Sequence, residues 1–396
     1  MRKLTGFFFL FFSVITLAQE SLFTLLDNSE TGIDFSNDLV DTKQHSIFLY
    51  ANYYGGAGVG IGDFDNDGLD DIFLAANLID DKIYRNLGNF QFEDKTEKSG
   101  IINNGSWSTG VTVADVNNDG LLDIYVSCEL YDDAPVLRKN KLYINKGNFK
   151  FEESAEKWGV DVDRRTRHSV FFDYNNDGLL DLYLLNHPPN TGNFSPFFGT
   201  DMTLPEYNLQ LFENKGDHFI DVTLAAGLDR AGFPNAAVIG DFNKDGWSDI
   251  YVANDFDAPD FLYFNNQDGS FSYKTESSLR HTSFYSMGVD AADINNDSHL
   301  DLMVLDMTAE DNFRLKSNMS GMNPDSFWNV VKGGGHYQYM FNTMQLNNGN
   351  NTFSDVAQLT GTAATDWSWS SLVADFDNDG NKDIYITNGL LRDIRN

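Results

Sequence analysis

Cysteine is almost absent. The chain of 396 residues has one, Cys128, so no internal disulfide can form and no cysteine-based zinc cluster can be built. Basic residues are scarce. Lys+Arg number 27 against 59 Asp+Glu, for a formal net charge of −32. A chain this acidic repels phosphate backbones, which argues against nucleic acid as a partner, and it attracts cations. Catalytic signatures are also missing. There is no HExxH, no GxSxG and no P-loop, and no two of the seven histidines stand four residues apart. After the first 18 residues no stretch is long and apolar enough to cross a bilayer. Apolar material is nevertheless ample. Hydrophobic residues make up 41% of the chain, with 33 Phe, which excludes global disorder.

The first 18 residues read as an export signal. Arg2 and Lys3 form a charged start, Gly6 to Leu17 is apolar apart from Ser13 and Thr16, and Ala18 closes a small-x-small cleavage pattern. A membrane anchor is the alternative, but the apolar core is shorter than the roughly 20 residues a span needs. The expected product is secreted or exposed at the cell envelope, with no transmembrane span once the signal is removed.

One pattern then recurs six times: Asp-x-Asp/Asn-x-Asp-Gly-x-x-Asp. It appears as DFDNDGLDD, DVNNDGLLD, DYNNDGLLD, DFNKDGWSD, DINNDSHLD and DFDNDGNKD, beginning at Asp63, Asp115, Asp173, Asp241, Asp293 and Asp375. Repeats 52 to 82 residues apart mark a solenoid or a propeller. A short apolar segment precedes each loop, such as GVTVA at 110–114. A second follows it, such as DIYVS at 123–127. Their length and their β-branched and aromatic content make them strands. Units one to five add a third element ending in Asn/Gly turns, KLYINKG (141–147) being one, and a fourth such as FKFEESA (149–155). Four short strands per repeat form a propeller blade, so the fold class is all-β. Helical calcium hands are the rival. They need a bidentate Glu at loop position 12, where this chain has Leu74, Val126, Leu184, Val252, Val304 and Ile386.

Each loop is a set of hard oxygen donors suited to Ca²⁺, which takes six to eight oxygens. Side chains at positions 1, 3, 5 and 9 supply carboxylates or amides, and position 7 can offer a backbone carbonyl. The candidate metal ligands are Asp63, Asp65, Asp67 and Asp71; Asp115, Asn117, Asp119 and Asp123; Asp173, Asn175, Asp177 and Asp181; Asp241, Asn243, Asp245 and Asp249; Asp293, Asn295, Asp297 and Asp301; and Asp375, Asp377, Asp379 and Asp383. Two carboxylates about 5 Å apart repel by roughly 3 kcal/mol at an effective dielectric near 20, so a turn holding three or four calls for a cation. Up to six Ca²⁺ are expected, bringing the formal charge from −32 to −20. Gly at position 6 permits the positive φ that turns the chain back around the ion. Ser298 replaces it in loop five, at about 1 kcal/mol, which makes loop five the weakest expected site. Loops one and six, with four Asp each, are the tightest.

These units resemble FG-GAP/VCBS repeats, the calcium-loop blades of integrin α-subunit propellers and of many secreted bacterial proteins. The layout is similar to that of the cartilage-acidic-protein-like group, whose bacterial members often carry an ASPIC/UnbV domain. The resemblance spans about residues 22 to 396. It implies a β-propeller, often seven-bladed, with calcium between the first two strands of a blade. Residues 19–396 are expected to form it, with units near 57–97, 109–155, 168–224, 235–276, 286–357 and 370–396. No ASPIC/UnbV segment follows unit six, and that unit stops after its second strand. The segment 21–35 looks like a closing fourth strand that joins the ends of the ring. A seven-bladed ring in a longer protein is the expectation, with closure by six blades and 390–396 as an edge the alternative.

Two insertions interrupt the repeats. Residues 187–208 carry four Pro and three Phe, and residues 306–340 hold Phe327, Trp328, His336, Tyr337 and Tyr339 around Gly333–Gly335. Trp367 and Trp369 stand just before loop six. Aromatics on adaptable loops suit sugar or protein surfaces, or they pack over the propeller face. The cluster DRRTRHS, Asp163 to Ser169, reads as a solvated turn or as a contact for an anionic partner. The leading expectation is an extracellular module that binds a protein or a glycan. A polysaccharide lyase using His168 with Arg164 or Arg167, or His336 with Lys332, is the enzymatic alternative. A purely structural module of a longer envelope protein is the third.

Overall fold

In the computed structural model the described residues are 22–50, 52–188, 205–256, 258–318 and 323–389. The export signal, most of the 187–208 insertion and the 390–396 tail lie outside them. No described helix is long and apolar enough to cross a membrane.

Five repeats fold as four-stranded antiparallel sheets in which each strand pairs with the next. Blade two shows the plan, with strands Trp107–Ala114, Asp123–Glu129, Lys141–Asn145 and Phe151–Glu153. Blade one begins at Val59–Gly62, blade three at Arg165–Phe172, blade four at Pro234–Gly240 and blade five at Gly288–Ala292. Blade six has two described strands, Ser368–Ala374 and Asp383–Asn388. The first strands pack against one another in sequence from blade one to blade six, so they form the inner edge of an all-β propeller.

Stacking explains the composition of the second strands. In blades two to five both faces of this strand meet a neighbour, so it is buried along its whole length. Such a strand reads as a continuous apolar run rather than an alternating one. Separate apolar clusters fill the seams. Val111, Ile124 and Phe73 belong to the seam between blades one and two, and Tyr183, Ile250 and Phe271 to that between blades three and four.

A polar bolt repeats beside four of the seams, from blades one and two to blades four and five. The asparagine ending the third strand donates its side-chain N–H to a backbone carbonyl of the preceding blade. Asn145 reaches Phe64 O at 2.9 Å, Asn214 Val116 O at 2.9 Å, Asn265 Tyr174 O at 2.8 Å and Asn347 Phe242 O at 2.7 Å. In the sequence these asparagines read only as turn residues. Their second role needs a partner some 80 to 105 positions away.

The segment 21–35 departs from its expected form. Its described residues form no strand. A helical turn, Asn28–Thr31, ends in Gly32 at φ 75°, like the turns that follow the fourth strands of blades one, two and five. A Cβ on Gly32 would stand 2.6 Å from Phe92 O of blade one, and one on Gly100 would stand 2.3 Å from Phe151 O of blade two. Phe23, at the other end, packs edge-on against Phe376 and Tyr385 of blade six. The segment thus touches both the first and the last blade. On the flanks that face it, Val59 and Ile61 of blade one and Leu372 of blade six remain exposed.

The DRRTRHS cluster is not a solvated turn. Most of it lies in the first strand of blade three, where Thr166 and Arg167 are buried. A β-bulge at Arg167, between the pairs Thr166–Asn186 and His168–Leu185, interrupts the alternation of that strand.

Candidate metal loops and the opposite face

All six loops adopt one local geometry. In each, the position 1 aspartate accepts the backbone N–H of positions 5 and 6. In loop one, Asp63 accepts from Asp67 at 3.0 Å and from Gly68 at 2.7 Å; in loop six, Asp375 accepts from Asp379 at 3.0 Å and from Gly380 at 2.8 Å. Glycine at position 6 has positive φ throughout, for example 89° at Gly68, and Ser298 is forced to 71°. A left-handed serine carries the strain expected of it. Position 4 is also left-handed, from Asn66 at 58° to Asn378 at 60°. That requirement was readable in the sequence, since five of the six residues there are Asn, the non-glycine residue that tolerates this region well.

In loops one and six the structure gathers three carboxylates. Single oxygens of Asp63, Asp65 and Asp71 lie within 4.8 Å of one another, as do those of Asp375, Asp377 and Asp383. The position 5 aspartates do not join these sets. Each spends one oxygen on the N–H of position 7, as Asp67 does for Leu69 at 3.0 Å. Loops two to five have Asn at position 3. Its amide donates to the position 5 carboxylate, as Asn175 does to Asp177 at 3.0 Å.

Position 9 has two tasks. Asp181 accepts from Tyr174 N at 3.1 Å and from Asn214 N at 2.8 Å, tying the loop to the third strand. Burial pushes this carboxyl up to about 7, against the pull of those two N–H donors. Asp123 and Asp249 are likewise raised to about 7, and Asp71 to about 6, chiefly by burial. A cation among the loop oxygens favours the ionised form and opposes that rise. The donors suit a hard divalent cation: all are oxygens, and buried Asp65 Oδ1 has no hydrogen-bond partner.

The end of the blades away from the loops carries a second polar centre, which sequence reading missed. His187 ends the second strand of blade three. Its Nδ1 lies 2.9 Å from Glu129 Oε1 and its Nε2 lies 2.8 Å from Pro234 O. Tyr50 donates to the other Glu129 oxygen. Burial pushes the Glu129 carboxyl up, but His187, Arg167 and Tyr50 together bring it below its ordinary value. The cluster bolts blades two and three to the segment before blade one. Its signal was one position, the sixth after the loop-closing aspartate, which changes from Asn77 to Glu129, His187 and Asp255.

The arginines proposed for a lyase are engaged elsewhere. His168 and Arg167 are neighbours at a β-bulge, where Thr166 pairs with Asn186 and His168 with Leu185. Arg167 Nη2 donates to Gly55 O at 2.7 Å, and Arg164 Nη1 to Asn208 O at 3.3 Å. Burial, with Arg167 beside it, takes His168 down to about 4. His336 is likewise lowered by burial, and Lys332 closes the helix Pro324–Lys332. The aromatic insertion is divided. Phe327 stacks on Tyr339, which stacks on Phe341, while Trp328 and Tyr337 remain exposed. Trp367 and Trp369 pack against buried Met287 and Met307.

The sequence profile of the FG-GAP-like repeat matches residues 63–126, 241–304 and 323–386. It describes the repeat and does not distinguish the cartilage-acidic-protein-like group. No curated protein matches the chain. Among solved structures, an Agrocybe aegerita lectin that recognises non-reducing terminal N-acetylglucosamine is similar at 17% identity, over 83% of this chain and 73% of the lectin, with a TM-score of 0.48. The Bacillus licheniformis rhamnogalacturonan lyase PL11 is similar at 11% identity, over 84% of this chain and 55% of the lyase, with a TM-score of 0.41. The V. cholerae biofilm matrix protein Bap1 is similar at 11% identity, over 76% of this chain and 38% of that protein, with a TM-score of 0.37.

Proposed function

The chain is a β-propeller of FG-GAP-like repeats, and from that premise we propose that its six acidic loops hold calcium and that it acts as an exported module binding an extracellular protein or glycan. The observation that carries the metal reading is the repetition of one oxygen-lined turn six times, with three carboxylates converging in loops one and six. The ligands are those at positions 1, 3 and 9, with position 5 shaping the turn and available to the ion. Bound calcium supplies positive charge to a chain of net charge −32.

The binding role is supported by exposed Trp328 and Tyr337 beside the stacked Phe327, Tyr339 and Phe341. Aromatic faces suit sugar rings and protein surfaces alike. The arginines nominated for a lyase are separately engaged, Arg167 at Gly55 O and Arg164 at Asn208 O, which favours the binding role.

Extracellular modules bind calcium with constants of about 10⁻⁴ to 10⁻³ M. Free calcium at ten times the constant adds about 1.4 kcal/mol per site, or roughly 8 kcal/mol for six. The test is retention of the protein on neutral and acidic polysaccharides in millimolar calcium and in EDTA, with thermal unfolding followed in both. Calcium-dependent retention and a large fall in Tm with EDTA are expected. An unchanged Tm would remove the calcium role. Formation of an unsaturated sugar product would replace binding by lyase chemistry.

A further inference from the structure

Loops one and six carry the same first six residues, DFDNDG, yet their surroundings differ. The third strand of blade one, Lys82–Asn86, places Arg85 over loop one. Arg85 Nε lies 2.8 Å from Asp65 Oδ2, and Arg85 Nη2 lies 2.9 Å from Asp67 Oδ2. One guanidinium therefore spans positions 3 and 5 of the loop. The same strand position in the other complete blades holds Ile144, Glu213, Phe264 and Leu346. Blade three shows that this position faces the loop in general, because Glu213 Oε1 accepts from Asn175 Nδ2 at 3.3 Å while pairing with Lys215 at 2.5 Å. Among the described residues no lysine or arginine is ion-paired to Asp375, Asp377, Asp379 or Asp383 of loop six.

We propose that Arg85 is the internal cation of loop one, which a metal ion must displace or share, so that loop one binds calcium more weakly than loop six. The inference rests on the calcium reading above. The physical reason is competition. Arg85 neutralises part of the charge that draws the ion, and its ion pairs with Asp65 and Asp67 must loosen before both carboxylates can turn to a metal. A count of carboxylates ranks the two loops as equals; the neighbouring strand separates them.

The test is calorimetric titration of the whole chain with calcium alone, comparing the unaltered protein with Arg85→Gln and Arg85→Lys. Removing the charge should tighten one site about threefold to tenfold, the range of a partly exposed ion pair made with two carboxylates. Arg85→Lys, which keeps the charge, should remain near the unaltered protein. Adding Asp63→Asn to Arg85→Gln should abolish the tightened site, which assigns it to loop one. Thermal unfolding supplies a second readout. In EDTA, Arg85→Gln should melt below the unaltered protein because loop one has lost its counter-charge, and saturating calcium should narrow that gap. Identical titrations for Arg85→Gln and the unaltered protein, with calcium bound by both, would overturn the role of Arg85 and leave the calcium reading standing. Absence of calcium binding by either chain would overturn both.

Discussion

Blades three and six share a motif and meet different fates. Tyr183 and Tyr385 each stand two residues after the loop-closing aspartate, in Asp-Leu-Tyr-Leu and Asp-Ile-Tyr-Ile. Tyr183 is fully buried among Tyr174, Ile250 and Phe271, whereas Tyr385 is 45% exposed and packs edge-on against Phe376 and Phe23. The repeat specifies a strand, but a neighbouring blade specifies whether that strand becomes core. Blade three has blades two and four beside it. Blade six has blade five on one side and the thin segment around Phe23 on the other.

The largest effect should come from cutting this tyrosine in both places. Tyr183→Ala should cost about 4 kcal/mol, the range for emptying a large aromatic site, and Tyr385→Ala less than about 1 kcal/mol. Equal losses in urea unfolding would break the comparison. Tyr183→Phe sharpens it. The buried hydroxyl has no hydrogen-bond partner, so its removal should cost little.

Acids at the exits of the second strands provide the next contrast. Blades four and five bury Asp255, Asp260 and Asp306 there, while the blade six exit has exposed Asn388. Burial drives these carboxyls up to about 8, 7 and 6 respectively. Their folded-state values lie above the unfolded value, so the folded form holds the protons more tightly. The stability they contribute is present in full below about pH 4 and is lost as pH rises through 6 to 8. Asp255→Asn should therefore stabilise the protein at pH 8, by on the order of 3 kcal/mol, and much less at pH 5. Urea unfolding at the two pH values measures this, and an equal effect at both would show that Asp255 is not the titrating group.

The smallest contrast concerns the asparagine bolts. Asn214 reaches blade two through Val116 O, holds Leu180 O at 3.0 Å and accepts from Gly216 N at 2.8 Å. Among the described residues the Asn86 side chain of blade one has the local pair alone, Asp70 O at 2.8 Å and Gly88 N at 2.9 Å. Asn214→Ala should cost about 2 kcal/mol and Asn86→Ala about 1 kcal/mol, the difference being one buried hydrogen bond. A reversed order in chemical unfolding would argue that the seams are held by their apolar clusters alone.

Much of the fold was legible in the sequence because the repeat is local. Nine residues contain both the position 1 aspartate and the N–H groups it accepts, so one motif reports one turn wherever it occurs. The segments beside each loop are equally self-describing, since apolar runs of four to six residues bounded by turn residues leave little but a strand. The segment 21–35 was less legible. Its likeness to a fourth strand lay in the helical turn and Gly32, which do recur, while the strand itself has no third strand beside it to pair with among the described residues. DRRTRHS misled for a related reason: its charged residues suggest solvent, but each arginine finds its partner elsewhere, Arg164 at Asn208 O, Arg165 at Asp132 and Arg167 at Gly55 O.

The sequence by itself determined the number of loops, their oxygen donors, the left-handed strain at Ser298 and the all-β character of the repeat. All of these follow from bonds and dihedral preferences within a few residues. Only the tertiary structure decided that Arg85 lies on Asp65 and Asp67, that Glu129 and His187 close a buried pair across two blades, and that Tyr385 stays exposed. Those outcomes depend on groups brought together from other strands and blades, about 20 to 60 positions away for Arg85 and His187. No local preference encodes such an encounter; the packing of one sheet on the next creates it.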